Sequence, residues 1–212
     1  MNNVSLLSIN TSKFLGVIID EKLSWIHHID YICKKVSKSI GILSKLKKYL
    51  NVHSLINMYY CFVYPYLQYC NDVWGNAYSS YLNRLKLLQK RVIRIIAHVD
   101  NFHHTDELFT KFNILKLHSI NDYMIGQIMY KAYWNLLPIP LMSLFVKNDN
   151  IHSYHTRQKD DFHPPRPKSN LLKRSVAYKG VTVWNSIRQT VKINSSFDCF
   201  KKRLKNLFLV MK

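Results

Sequence analysis

The sequence predicts a mainly α protein: a short N-terminal β-strand or hairpin, a bundle of amphipathic helices, and a basic helical C-terminal region. Three observations carry that prediction. Two long stretches, 24–50 and 79–98, place apolar residues at helical spacing. The 212-residue chain has only 5 Gly and 6 Pro, too few for a turn-dense all-β or a collagen-like protein. The one run that reads as a strand, from Lys13 to Ile19, is short. Hydrophobic residues make up 48% of the chain and aromatics 13%, so it can bury a core despite a net charge of +19.

The elements follow in order. Lys13 to Ile19 reads as a buried strand ending at Asp20-Glu21. Ser24 is the expected N-cap of a helix reaching about Leu50. Its apolar positions, Ile29, Ile32, Val36, Ile40, Leu43, Leu46 and Leu50, fall on one side. Lys34, Lys38, Lys45 and Lys48 fall opposite, within an arc of about 80° at about 100° per residue. Residues 51–70 read as a second helix, with Pro65 as a kink or boundary. Apolar and aromatic residues surround it almost completely, which predicts a central place in the core.

Residues 72–77 read as a turn, and Ser79 or Ser80 as the cap of a third helix to about His98. There Lys86, Lys90 and Arg94 share a face, with Leu85, Leu88, Val92, Ile95 and Ile96 opposite. Thr105-Asp106-Glu107 opens a short helix, since acids suit a first turn. A longer helix spans about 118–137 and stops at Pro138-Ile139-Pro140. Residues 148–170, with three Pro, several His and Arg and no period, read as an extended loop or linker. Residues 174–187 read as helical despite Gly180. Ser195 and Ser196 cap a last helix with Phe197, Phe200, Leu204, Leu207 and Phe208 inward, and Lys201, Lys202, Arg203 and Lys205 outward.

The charge is unevenly spread: +8 over residues 1–100, zero over 101–150 and +11 over 151–212. Such an excess opposes compaction unless a polyanion or an acidic partner is near, or it is simply a wet lysine-rich surface. Catalytic constellations are missing. Asp160-Asp161 is the only adjacent Asp pair, in a basic Pro-rich loop where pairing with Arg157 and Lys159 is the expected use. A two-metal centre needs carboxylates held on rigid elements. His152, His155 and His163 leave a zinc site open beside the ordinary surface or buried histidine. Cys33, Cys61, Cys70 and Cys199 lack the dense spacing of a secreted disulfide scaffold. No Gly-rich phosphate loop, Gly-x-Ser-x-Gly or His-Glu-x-x-His occurs. No catalytic residue, metal ligand or cofactor is therefore assigned.

No secretory signal is read at Met1 to Ser12, and Leu55 to Asn71, uncharged but with Asn57, Pro65, Gln68 and five tyrosines, falls short of a membrane span. An intracellular location, nuclear or cytoplasmic, with no membrane partner is expected.

The string Lys13-Phe14-Leu15-Gly16-Val17-x-x-Asp20-x-x-Leu23-x-Trp25-x-x-His28-Ile29 sharpens the reading. It resembles the segment after the catalytic hairpin in reverse transcriptases of non-LTR retrotransposons, especially the jockey-like LINE group. The likeness continues through Tyr69, Asp72-Val73-Trp74-Gly75 and Leu88-Gln89-Lys90-Arg91-x-x-Arg94. It extends to Thr156-Arg157, Trp184-Asn185-Ser186 and Phe200-Lys201-Lys202-x-Leu204-Lys205, so that it spans nearly the whole chain.

The resemblance implies an RNA-directed DNA polymerase as parent, with residues 1–23 as the end of the palm and 24–100 as a thumb-like helical bundle. After these would come a helical region over 101–147, the 148–170 linker, and basic helices over 171–212. It implies a primer-grip-like role for Phe14, Leu15 and Gly16. It implies nucleic-acid contacts for Lys34, Lys38, Lys45, Lys48, Lys86, Lys90, Arg94, Arg157, Lys201, Lys202 and Lys205. The partner implied is RNA or an RNA–DNA duplex, and Mg²⁺ is implied for the intact parent alone. The family's Tyr-x-Asp-Asp box belongs upstream of Phe14, where Met1 to Ser12 holds no Asp or Glu. The expectation is thus a polymerase fragment that binds nucleic acid without extending it. The alternative is a domesticated RNA- or DNA-binding or protein-interaction module.

Overall fold

The computed structural model describes residues 9–151, 161–192 and 196–210. In chain order its elements are β1 (Thr11–Phe14), β2 (Val17–Asp20), α1 (Ile26–Leu46), α2 (Val52–Phe62), α3 (Tyr64–Gln68), α4 (Asn71–Trp74), α5 (Ser79–Ala97), α6 (Asp106–Lys111), α7 (Leu117–Tyr133), α8 (Ile139–Met142), α9 (Asn170–Arg174), α10 (Val176–Ser186), α11 (Gln189–Lys192) and α12 (Phe197–Val210). The fold is mainly α with one small N-terminal hairpin, as the sequence predicts. The chain forms two compact units, one from residues 1–66 and 77–99, the other from 67–76 and 100–212.

In the first unit, the expected buried strand is instead a two-stranded antiparallel hairpin, with Phe14 paired to Val17 and Thr11 to Asp20. Leu15 and Gly16 form the reversal, with φ of 45° and 85°. Positive φ at both positions is what a two-residue type I′ connection requires, and glycine accepts it without steric cost. Phe14 and Leu15 at the tip are 63% and 74% exposed, while Val17 and Asp20 on the strand facing α1 are buried. β2 is the strand that packs its side chains against the helix, while every residue of β1 stays exposed.

Ser24 stands one residue before the N-cap position of helix α1, where its Oγ accepts the Ile26 N–H at 3.4 Å, and Asp20 fixes the approach to the helix. The Asp20 carboxylate accepts the backbone N–H groups of Ser24 and Trp25 at 2.9 and 2.8 Å. Trp25, at φ 66°, occupies the cap position without a side-chain bond of its own. Burial pushes the Asp20 carboxyl up, but the N–H donors of Ser24, Trp25 and Lys22 outweigh it and hold it below the usual range. Asp20→Ala removes both acceptors and is expected to cost about 1–2 kcal/mol in urea denaturation. Asp20→Asn, which keeps one acceptor oxygen, should cost less.

His28 fastens β2 to α1 a turn later: its Nδ1 accepts the Ile18 N–H at 3.3 Å, and the ring is 2% exposed. Burial pushes its pKa below the ordinary 6.5. Below that pH the unfolded chain takes up a proton that the folded one refuses, so stability falls as pH drops and levels off once the folded ring titrates. The slope on this limb should approach about 1.4 kcal/mol per pH unit. His28→Asn, whose Oδ1 can accept the same N–H, should flatten the limb in pH-dependent denaturation; an unchanged slope would assign it elsewhere.

The core of this unit comes from Ile29, Ile32, Val36, Ile40 and Leu43 of α1, Leu55 and Tyr59 of α2, and Leu85, Val92, Ile93 and Ile96 of α5. Asn51 caps α2 by accepting the Ser54 N–H at 2.9 Å. The segment after it is not the all-round buried helix its composition suggests. Val63 separates α2 from α3, Pro65 is the second residue of α3, and α2 buries one stripe, leaving Val52 and Phe62 exposed. Its tyrosines explain the difference, because a phenol carries a polar end that must find a partner. Tyr59 alone is fully buried, and its hydroxyl accepts from Gln89 at 3.0 Å. Ser79 and Ser80 lie inside α5, whose cap position is Tyr78.

In the second unit α7 is central, with α4, α10 and α12 packed on it. Of the expected 72–77 turn, residues 72–74 belong to the short helix α4 and the chain turns at 75–77. Asn121 donates to the Asn71 carbonyl at 2.9 Å, and the Trp74 indole N–H donates to the Tyr69 carbonyl at 2.8 Å. A Cβ at Gly75 would collide with the Asn71 carbonyl and the Asn121 side chain. Trp184 is fully buried among Tyr133, Phe162 and Phe200, with ring centroids at 5.3, 6.2 and 6.1 Å. Asn185 donates to the Phe162 carbonyl at 2.8 Å. The Trp-Gly and Trp-Asn pairs of the family-like string are thus packing residues.

The 148–170 stretch is more than a linker. Phe162 is 1% exposed and bridges to Lys147, and the His163 N–H donates to the Val146 carbonyl at 2.7 Å. Asp161 pairs with buried Lys192 at 2.9 Å, and Arg157 and Lys159, the partners expected for the Asp pair, lie outside the described residues.

Candidate nucleic-acid interface

Lys34, Lys38 and Lys45 are exposed on α1, and Lys48 is exposed in the turn that follows it. The buried residues of α1 centre on the opposite side of the helix, so the stripe points directly away from the core. None of these four forms an ion pair among the described residues. On α5, Lys86 is exposed, while Lys90 and Arg94 are half-buried along the border of the packed face. Because α1 packs on α5 in one unit, the fold brings the 34/38/45/48 set and the 86/90/94 set into one body.

Sequence reasoning left other cations of this unit out of its contact set, and the structure gives four of them a place. Arg91 is exposed on α5, and Arg84 links α5 to α1 through Asp30 at 3.0 Å. Lys13 of β1 and Lys35 of α1 both lie over the Tyr31 ring, 5.7 and 5.5 Å from its centroid. Helical spacing reveals neither member of that last pair. They meet only because the hairpin docks on α1.

The C-terminal set is less uniform. Lys201 is bound to Asp198 at 2.7 Å and sits 5.0 Å over the Phe197 ring. The hydrogen bond from Lys201 lowers the Asp198 carboxyl and raises the Lys201 ammonium. Lys205 is half-buried and its pKa is lowered by desolvation, while Lys202 is exposed. All three belong to the second unit, and Arg157 lies outside the described residues. Phe14, Leu15 and Gly16 form the hairpin tip, next to Lys13.

No group of three or more His, Cys, Asp or Glu among the described residues could hold a metal ion. Asp161 is already taken by Lys192. His152 and His155 of the zinc option lie outside the described residues, and the His163 Nδ1 is 3.3 Å from Asn148 Oδ1. No helix among the described residues is long and apolar enough to cross a membrane. What the first unit offers chemically is a set of basic groups on stiff helices, of which Lys34, Lys38, Lys45 and Lys48 pair with no carboxylate among the described residues. Such groups match phosphate oxygens.

No protein-family model and no solved structure matches the chain. Curated proteins do. The chain is 29% identical over 120 residues, 52% of its length, to a probable RNA-directed DNA polymerase from the transposon X-element of Drosophila melanogaster. It is 33% identical over 100 residues, 45% of its length, to the RNA-directed DNA polymerase from the mobile element jockey of Drosophila funebris. Against the jockey polymerase of Drosophila melanogaster the figure is 28% over 108 residues, 50% of its length. These matches cover 13%, 11% and 12% of the relatives, so the chain spans about an eighth of their length. Over about half of its own length, the chain is similar to RNA-directed DNA polymerases of non-LTR retrotransposons, jockey and X-element among them.

Proposed function

We propose that the first unit holds the sugar–phosphate backbone of RNA or of an RNA–DNA duplex on the basic faces of α1 and α5. The observation that carries this is the stripe of uncompensated lysines, Lys34, Lys38, Lys45 and Lys48, facing away from the core. A solvated surface usually mixes both signs, and here the nearest acid on α1, Asp30, is engaged by Arg84. Lys86, Lys90 and Arg94 extend the same field, and the exposed Phe14–Leu15 tip would meet a strand end. The relatives' printed activity, RNA-directed DNA polymerisation, supports nucleic acid as the polyanion.

The chain would grip a strand and not extend it. It contains no Tyr-x-Asp-Asp, and its one Asp-Asp pair gives Asp161 to an ion pair with Lys192. Titrating the protein with an RNA–DNA duplex at several salt concentrations tests the grip. About five phosphate contacts predict a log–log slope near −4 to −5 if the duplex behaves as B-DNA does. A slope near zero, or no binding at low salt, rejects the reading. Primer extension with Mg²⁺ or Mn²⁺ should give no incorporation, and any incorporation would refute the second half.

A further inference from the structure

We propose that the strap from Asp161 to Ser175 in the second unit is a nucleic-acid backbone site of its own, with Arg166, Lys168 and Lys173 as its phosphate contacts. It shares with the reading above only the class of ligand, and none of its residues lies on α1 or α5. From Phe162 to Phe197 the sequence holds seven Lys or Arg and no acid. The structure sorts these cations. Lys179 pairs with Asp122 at 2.9 Å, Lys192 pairs with Asp161, and Arg174 is half-buried with its Nε donating to the Asn170 carbonyl at 3.2 Å. Arg166, Lys168, Lys173 and Arg188 are exposed and form no ion pair among the described residues, and the first three lie together on the strap.

These three are displayed on a pinned segment, not on a loose tail. One end is fixed by buried Phe162, whose carbonyl accepts from Asn185, and by the His163 bond to Val146. The other end runs into α9, which packs on α10 and is closed by local bonds, Ser169 accepting the Leu172 N–H at 3.2 Å and the Ser175 hydroxyl donating to the Leu172 carbonyl at 2.7 Å. Between the pins, Pro164, Pro165 and Pro167 restrict the backbone to extended conformations. An extended chain rises about 3.1 Å per residue, so Arg166 and Lys168 stand about 6 Å apart along it. Three cations on a segment ordered in advance bind a polyanion without the entropy loss of ordering a tail. A membrane surface fits less well, because α9 is a single turn with one exposed leucine, Leu171, and offers no long apolar face.

The test uses the full chain, with a labelled single-stranded RNA as probe and with anionic phosphatidylserine vesicles as a second probe. Arg166→Glu/Lys168→Glu/Lys173→Glu should weaken RNA binding and reduce the magnitude of the salt slope by about 2. Arg166→Lys/Lys168→Arg/Lys173→Arg should keep both, and thermal melting should be the same for all three proteins. Unchanged affinity and slope in the reversed variant overturn the strap site. If reversal of Lys34, Lys38 and Lys45 still lowers binding in that case, the α1 reading stands by itself. Vesicle binding that depends on the strap, without RNA binding that does, also overturns the proposal.

Discussion

Lys192→Ala is expected to destabilise the second unit by about 3–5 kcal/mol. The ammonium is 2.9 Å from Asp161 Oδ1, and the two side chains are only 5% and 11% exposed. The ammonium also lies 5.2 Å over the Trp184 ring. Removing it leaves a buried carboxylate with no other ion-pair partner among the described residues, in a place where water compensates poorly. The loss should spread, because Asp161 precedes Phe162, whose ring touches Trp184 and whose carbonyl accepts from Asn185. Denaturant titration measures the effect. Asp161→Asn/Lys192→Met should recover most of it, since a neutral pair removes the desolvation cost from both sides. A loss below about 1 kcal/mol for Lys192→Ala would mean that the pair behaves as a surface ion pair.

Lys34→Glu/Lys38→Glu/Lys45→Glu/Lys48→Glu is expected to have the largest effect on binding. Four lost phosphate contacts predict a reduction of about 3–4 in the magnitude of the salt slope on a duplex, and at least about a tenfold loss of affinity at low salt. Stability should barely change, because the four side chains face solvent opposite the buried stripe and hold no carboxylate among the described residues. A neutral version with Gln at the same positions separates lost attraction from added repulsion: it should give the same slope change with a smaller loss of affinity. Binding that is unchanged in both would make the stripe a plain wet surface.

The helices were legible because their signal is local. The apolar stripe of α1 and the lysines opposite it follow from spacing alone, and Ile29, Ile32, Val36, Ile40 and Leu43 are buried as expected. Errors arose where a local pattern has two readings. The apolar run from Lys13 to Ile19 fits a buried strand or a hairpin, and only the positive φ at Leu15 and Gly16 separates them. The tyrosine-rich residues 51–70 count as apolar in a pattern, yet α2 buries one stripe and leaves Phe62 exposed. Ser24 looks like a cap, but Asp20, four residues earlier, is brought there by the hairpin and accepts both N–H groups.

Amino-acid order by itself determined the class of the fold, the segregation of charge and the likeness to non-LTR polymerases, because periodicity, composition and motif order are properties of neighbours along a chain. Which cations remain free was decided by tertiary structure. Lys192 and Lys179 read from sequence like any other basic residue, and folding spends them on Asp161 and Asp122. Lys13 and Lys35 converge on Tyr31 only when the hairpin docks. Net charge is additive over residues, but a charge available to a phosphate is what remains after folding has chosen its pairs, and those choices are made between residues far apart in sequence.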